Sequence, residues 1–229
     1  MTAATPWVRP SPTMRSMDRS TAAEAIVRAG ARLGRRGLIA AAEGNLSCRL
    51  DDGSILVTPS GYRKDELTVD DLVDLDPAGV VVARDGGPQP TSDLAIHLAV
   101  YEARPDIRAV AHAHLPASMG LTLAGERPDA TALPETAAHL RNVPFIPFGE
   151  MGSVELAGRI AAAFIGDATD PGAAPVAVIL ERHGAVAVGE APDRAVDRLE
   201  LVEVLCRAWR DALLVRAARA VLSESPRPD

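Results

Sequence analysis

The chain has 229 residues, 24 of them Lys or Arg and 31 Asp or Glu, giving a net charge of −7 and a pI near 5.3. That length can bury one full core, and no linker-like shift in composition divides it. An acidic chain without a long basic run argues against nucleic-acid binding, and no run of about 18 apolar residues suggests a membrane span.

Residues 1–19 are rich in Pro, Thr and Ser and lack a continuous apolar signal segment, so they read as a disordered leader. A single domain is expected over 20–222, with a frayed tail at 223–229. Thr21 and Glu24 have capping-box spacing, and Ala25, Ile26, Ala29 and Leu33 then recur at helical intervals until Gly37. Two strands, Leu46 to Leu50 and Ile55 to Thr58, flank the hairpin signal Asp51-Asp52-Gly53. Cys48, on the first of them, and Cys206 form no C-x-x-C. Neither a disulfide framework nor a thiolate metal site is indicated, and a cytoplasmic location is expected.

Residues 69–83 offer two more strands around the turn Asp76-Pro77-Ala78-Gly79. Ser92 is placed to N-cap a helix that ends before Pro105. Asp93 then falls in the first turn, where it either complements the helix dipole or points into a cleft as an acid/base group or a metal ligand. His97, one turn on, reads as a hydrogen-bonded core residue rather than a ligand. Residues 106–111 form an apolar strand, Pro116 to Leu123 a short helix, and Pro134 to Arg141 an irregular stretch in which Glu135 and His139 are candidate cleft residues. A strand over 143–148, a Ser153-capped helix to Phe164, a loop over 167–175, strands at 176–180 and 185–188, and a long helix from Pro192 to Leu222 complete the reading.

The chemistry concentrates at the end of the 106–111 strand. On a strand, residues two apart share a face, so His112 and His114 project side by side. Neutral imidazole is a common zinc ligand, and a site needs three or four donors converging at about 2 Å. The best third donor is His183, at the end of another apolar strand. Three histidines leave a coordination position open, the pattern of a catalytic Zn2+, with Mn2+ or Co2+ as other divalent occupants. Three clusters of small donors also occur: Gly44 with Asn45, Ser60 with Gly61, and Thr91 with Ser92. Each alone reads as a turn. Converging, they would cradle a phosphate.

The order Gly44-Asn45-Leu46-Ser47, Thr58-Pro59-Ser60-Gly61, Pro90-Thr91-Ser92-Asp93, His112-Ala113-His114 and His183-Gly184 resembles the class II aldolase/adducin family over about residues 21 to 215. The resemblance implies an α/β fold, a three-layer α/β/α sandwich around a mainly antiparallel central sheet, assembled as a homotetramer with sites between subunits. It implies zinc on His112, His114 and His183, and substrate phosphate on Gly44, Asn45, Ser60, Gly61, Thr91 and Ser92. Asp93 takes the place of the catalytic acid/base carboxylate. The implied activity is aldol cleavage of a ketose phosphate to dihydroxyacetone phosphate and an aldehyde, with same-fold decarboxylation, epimerisation or dehydration as the alternative, and a non-catalytic scaffold behind both. Two departures stand out. The family's aldolase and epimerase draw on a tyrosine near the C-terminus, whereas the tyrosines here are Tyr62 and Tyr101. The epimerase's second aspartate falls near Ala138, leaving Glu135 or His139 to substitute.

Overall fold

The computed structural model describes residues 16–82, 86–166 and 174–224. The expected leader, apart from its last residues, and most of the 167–175 loop and of the tail lie outside them. The first helix, α1 (Arg19–Arg35), starts earlier than the Thr21/Glu24 spacing suggested, because Asp18 is the N-cap and its carboxylate accepts from Thr21 N. Met17 is buried against the core, so order begins before residue 19. At the other end Gly37 adopts φ +65°, and Leu38 N returns to Leu33 O, closing the helix as a glycine in the left-handed region does.

Seven strands form one sheet among the described residues: β1 (Asn45–Arg49), β2 (Ile55–Val57), β3 (Val73–Leu75), β4 (Ala109–Ala113), β5 (Phe145–Ile146), β6 (Ala177–Leu180) and β7 (Gly184–Gly189). Their order is β3-β2-β1-β4-β7-β6-β5. Only the β5–β6 pair is parallel, so the sheet is mixed and mainly antiparallel. The second strand expected within 69–83 is reduced to a single bridge between Leu75 and Val81.

Alternation of side chains splits the core in two. Leu46, Cys48, Ala109, Ala111, Ala113, Ala185 and Ala187 pack with Ile26 and Leu33 of α1 and with Val196, Leu199 and Val202 of α6 (Pro192–Glu224). Val57, Val110, Val186 and Val188 pack with Ile96 and Val100 of α2 (Leu94–Ala103) and with Ile160 and Phe164 of α5 (Val154–Phe164). Helices thus cover both faces. The small alanines lie on the side where α6 approaches β4 and β7.

Two further α-helices among the described residues are short. The first, α3 (Pro116–Leu123), begins two residues after His114; Glu203 of α6, 3% exposed, accepts from Ala117 N in its first turn. That buried carboxylate ties α6 to the end of β4. The stretch expected to be irregular holds α4 (Pro134–His139), opened by Pro134 at its first position.

Candidate metal and substrate site

Strand register assembles the site. Pairing of β1 with β4 sets Asn45 opposite His112, and pairing of β4 with β7 sets Ala113 opposite Ala185. His183, in the β6–β7 turn, therefore lies beside His112 and His114. The three ring centroids are 4.8–4.9 Å apart with interplanar angles of 63–66°, a near-threefold tripod. One nitrogen from each lies within 4.8 Å of the others.

The tautomers suit a cation. His112 Nδ1 lies 3.0 Å from Ala185 O, which can only accept, so Nδ1 carries the proton and Nε2 presents a lone pair toward the tripod. The Glu43 carboxylate stands 3.4 Å from His114 Nδ1. Burial pulls the His112 pKa down to about 3, helped by repulsion from His183 and His114, and burial lowers that of His183. Neutral imidazoles packed this closely are a donor set that fits a divalent ion.

Two glycines make the approach possible. Gly184 has φ +124°, and a Cβ there would overlap the Ala113 carbonyl and stand 2.8 Å from His114 Cα. At Gly44, φ +70°, a Cβ would stand 2.8 Å from His112 O. The close approach that Gly44 allows is to the β4 backbone.

Asp93 is the N-cap residue of α2 and makes no side-chain hydrogen bond to it. The capping position expected for Ser92 is thus one residue off, and Thr91 Oγ1 accepts from Asp93 N instead. The Asp93 carboxylate accepts from Asn45 Nδ2 at 2.9 Å and lies 4.0 Å from His112 Nε2. Burial works against its charge, but His112, the Asn45 hydrogen bond, His183 and His97 outweigh it, and the carboxyl titrates below its ordinary value. His97 is a fully buried hydrogen-bonded residue, as expected.

Gly44, Asn45, Ser60, Gly61, Thr91, Ser92 and Asp93 line one cleft of about 390 Å³ together with His114 and His183. The three donor clusters do converge. Glu135 and His139 do not join them: they pair with each other at 3.5 Å and line a separate groove with Arg32, Arg194 and Arg198. Within one chain neither can serve as the second proton donor. Tyr101 is buried, and α6 contains no tyrosine.

Lys64 was not legible as a site residue. It is 2% exposed, lines the cleft, and its Nζ donates to Ala42 O and Tyr62 O, linking the two loops that carry Gly44 and Ser60. A lone lysine after Ser60-Gly61 carries no sequence signal. Its place follows from Gly30 of α1, where any Cβ would overlap the Lys64 carbonyl.

The family model for the class II aldolase and adducin N-terminal domain matches residues 24–210. The chain belongs to the class II aldolase/adducin family. Methylthioribulose-1-phosphate dehydratase of Acidiphilium cryptum (strain JF-5) is 33% identical over 192 residues, 80% of this chain and 87% of that protein. The 3-oxo-tetronate 4-phosphate decarboxylase of Cupriavidus necator is 36% identical over 196 residues, 81% and 82% of the two chains. Among solved structures, an L-fuculose 1-phosphate aldolase superposes with a TM-score of 0.75 at 27% identity, covering 89% of this chain and 91% of its own. Such family members are lyases, so enzymatic chemistry at the tripod agrees with the site geometry.

Proposed function

We propose that this chain is a divalent-metal-dependent lyase acting on a phosphorylated ketose, with zinc, or Mn2+ or Co2+ in its place, held by His112, His114 and His183. The observation that carries the reading is the meeting of three imidazoles and the Asp93 carboxylate at one cleft, whose wall includes the small neutral donors of the Gly44-Asn45, Ser60-Gly61 and Thr91-Ser92 clusters. The bound ion would supply Lewis acidity, polarising the substrate carbonyl and stabilising an enediolate.

The residues of the chain do the rest. Asp93, held ionised, removes a proton from the substrate carbon or hydroxyl and returns it. Asn45, Ser60, Gly61, Thr91 and Ser92 offer N–H and O–H groups to the phosphate, and Gly44 admits the backbone turn that aligns Asn45. The N-terminus of α2 adds positive potential there, and Lys64 is the one Lys or Arg lining the cleft. The adducin-like scaffold reading is disfavoured by the intact tripod.

Two reactions pass through such an enediolate. In aldol cleavage the C4 hydroxyl loses its proton, C3–C4 breaks to release the aldehyde, and the enediolate left behind takes up a proton to give dihydroxyacetone phosphate. In dehydration the proton is lost from C3, and the enediolate so formed expels the hydroxyl β to the carbonyl, which leaves with a proton as water. Both dehydration and decarboxylation are favoured over aldol cleavage by identities of 33% to a dehydratase and 36% to a decarboxylase against 28% to an aldolase, and aldol cleavage is further disfavoured by the missing tyrosine in α6. Decarboxylation of a 3-oxo acid phosphate would pass through a similar enolate. Assembly as a homotetramer with sites between subunits, in the cytoplasm, belongs to the same proposal; the exposed Leu214, Val215, Val221 and Leu222 along the distal half of α6 support a covered surface.

The deciding experiment incubates metal-loaded protein with L-fuculose 1-phosphate and with methylthioribulose 1-phosphate. Dihydroxyacetone phosphate release identifies an aldolase, and a product lighter by one water identifies a dehydratase. A metal-loaded protein that turns over neither, nor any ketose phosphate or 3-oxo acid phosphate in a wider panel, removes the reading.

A further inference from the structure

A line of buried side chains runs from the cleft back between β1 and α2. Asn45 Nδ2 lies 2.9 Å from Asp93 Oδ2; Asn45 Oδ1 lies 2.6 Å from His97 Nε2; His97 Nδ1 lies 2.7 Å from Ser47 Oγ; Ser47 Oγ lies 2.8 Å from the Tyr101 hydroxyl. Ser47 and His97 are 0% exposed, Asn45 2% and Tyr101 4%.

The chemistry of the groups fixes the direction of the bonds from Asp93 as far as Ser47. An ionised carboxylate only accepts, so Asn45 must present its amide N–H to Asp93 and its carbonyl to His97. His97 Nε2 must then carry the proton and donate, and His97 Nδ1 must accept from the Ser47 hydroxyl. With the Ser47 hydrogen given to His97, Ser47 Oγ accepts from Tyr101, whose single hydroxyl hydrogen is shared between Ser47 Oγ at 2.8 Å and Arg108 O at 3.2 Å. The single charge on the line is at its cleft end. Among the described residues, Asn45 is the one side chain that hydrogen-bonds the Asp93 carboxylate.

We propose that His97 is a positioning residue for Asp93, acting through Asn45. By donating from Nε2 it holds the Asn45 amide in the one orientation that anchors the carboxylate beside the tripod. With Asn45 reversed, two oxygens would face each other, and the carboxylate would swing away from His112. Filling the space alone would need no such line. The surrounding face is Val57, Val110, Ile96 and Val100, and apolar side chains there would avoid the cost of burying polar groups. The proposal rests on Asp93 as the proton-transfer group.

Two substitutions separate orientation from packing. His97→Gln reaches the Nε2 position and keeps a donor to Asn45; His97→Asn reaches only the Nδ1 position and keeps the Ser47 contact alone. His97→Asn should lower kcat about 10- to 100-fold, the scale of a misplaced catalytic group, with KM and metal content near wild type, and His97→Gln should recover most of it. Equal loss in both variants, or none in His97→Asn, overturns the proposal. Long-range proton–nitrogen spectra of the wild type test it without turnover: His97 should be the neutral Nε2–H tautomer, and the Nδ1–H tautomer overturns it. If Asp93→Asn turns over at the wild-type rate, the proton-transfer role of Asp93 falls and the positioning role with it. If Asp93→Asn is inactive while His97→Asn is fully active, only the positioning role falls.

Discussion

The Asp93 carboxylate lies 4.0 Å from His112 Nε2, although Asp93 is the N-cap residue of α2 and has no hydrogen bond to that helix. Its side chain serves the cleft rather than the helix end. Asp93→Asn should therefore lower kcat by about 10² to 10⁴, the range of a lost acid/base group, with metal still bound and the melting temperature little changed. Steady-state kinetics with metal analysis checks this. Asp93→Glu is the companion: retained activity shows that the cleft admits the longer carboxylate.

The tripod predicts a shared loss. Replacing any one of His112, His114 or His183 by Ala should strongly reduce the zinc that co-purifies with the protein. It should also abolish the rise in melting temperature on adding zinc, because a ligand stabilises only the state that binds it. Elemental analysis and thermal shifts on the four proteins measure both. An unchanged zinc content in all three variants would remove the metal site.

Gly184→Ala should be severely damaging. The new Cβ would collide with the backbone of Ala113 and His114 at φ +124°, and neither can yield without moving the tripod. A loss above about 4 kcal/mol, or failure to fold, is expected. Any folded fraction should bind zinc poorly. Denaturant unfolding with zinc titration checks it.

The neutral donors predict a binding defect confined to the phosphate. Ser60→Ala and Ser92→Ala should each weaken a phosphorylated substrate by about 1–3 kcal/mol, the range for a lost hydrogen bond to a charged group. A competitive inhibitor without the phosphate should bind both variants as it binds wild type. Equal weakening of the two ligands would place the anion elsewhere.

Acid should destabilise the fold through His97. Burial holds its pKa at about 4 against an ordinary 6.5, so between those values the unfolded chain binds the extra proton. Stability is then fully present above about pH 6.5 and falls toward pH 4, by roughly 3 kcal/mol for a shift of this size. His112 adds slope in the same direction in metal-free protein. Urea midpoints across this window should fall less steeply in His97→Gln, and identical slopes would show that His97 is not held neutral.

Sequence by itself determined the parts whose signal is local. The 3.6-residue period of α1, the hairpin turn at Asp51–Gly53 and the two-residue spacing of His112 and His114 each depend on neighbours along the chain, and each appears in the structure. Local rules gave way where a competing residue stood close by, as when Asp18 displaced Thr21 as the N-cap of α1 and Asp93 took the N-cap position of α2 in place of Ser92. What only the tertiary structure decided are the contacts that register and burial create. The pairing of β1 with β4 aims Asn45 at Asp93, α1 presses Lys64 into the cleft through Gly30, and the packing of α4 against α6 carries Glu135 and His139 away from the tripod. No periodicity or spacing encodes such contacts, because they join residues tens of positions apart whose side-chain directions are fixed only once the sheet has closed.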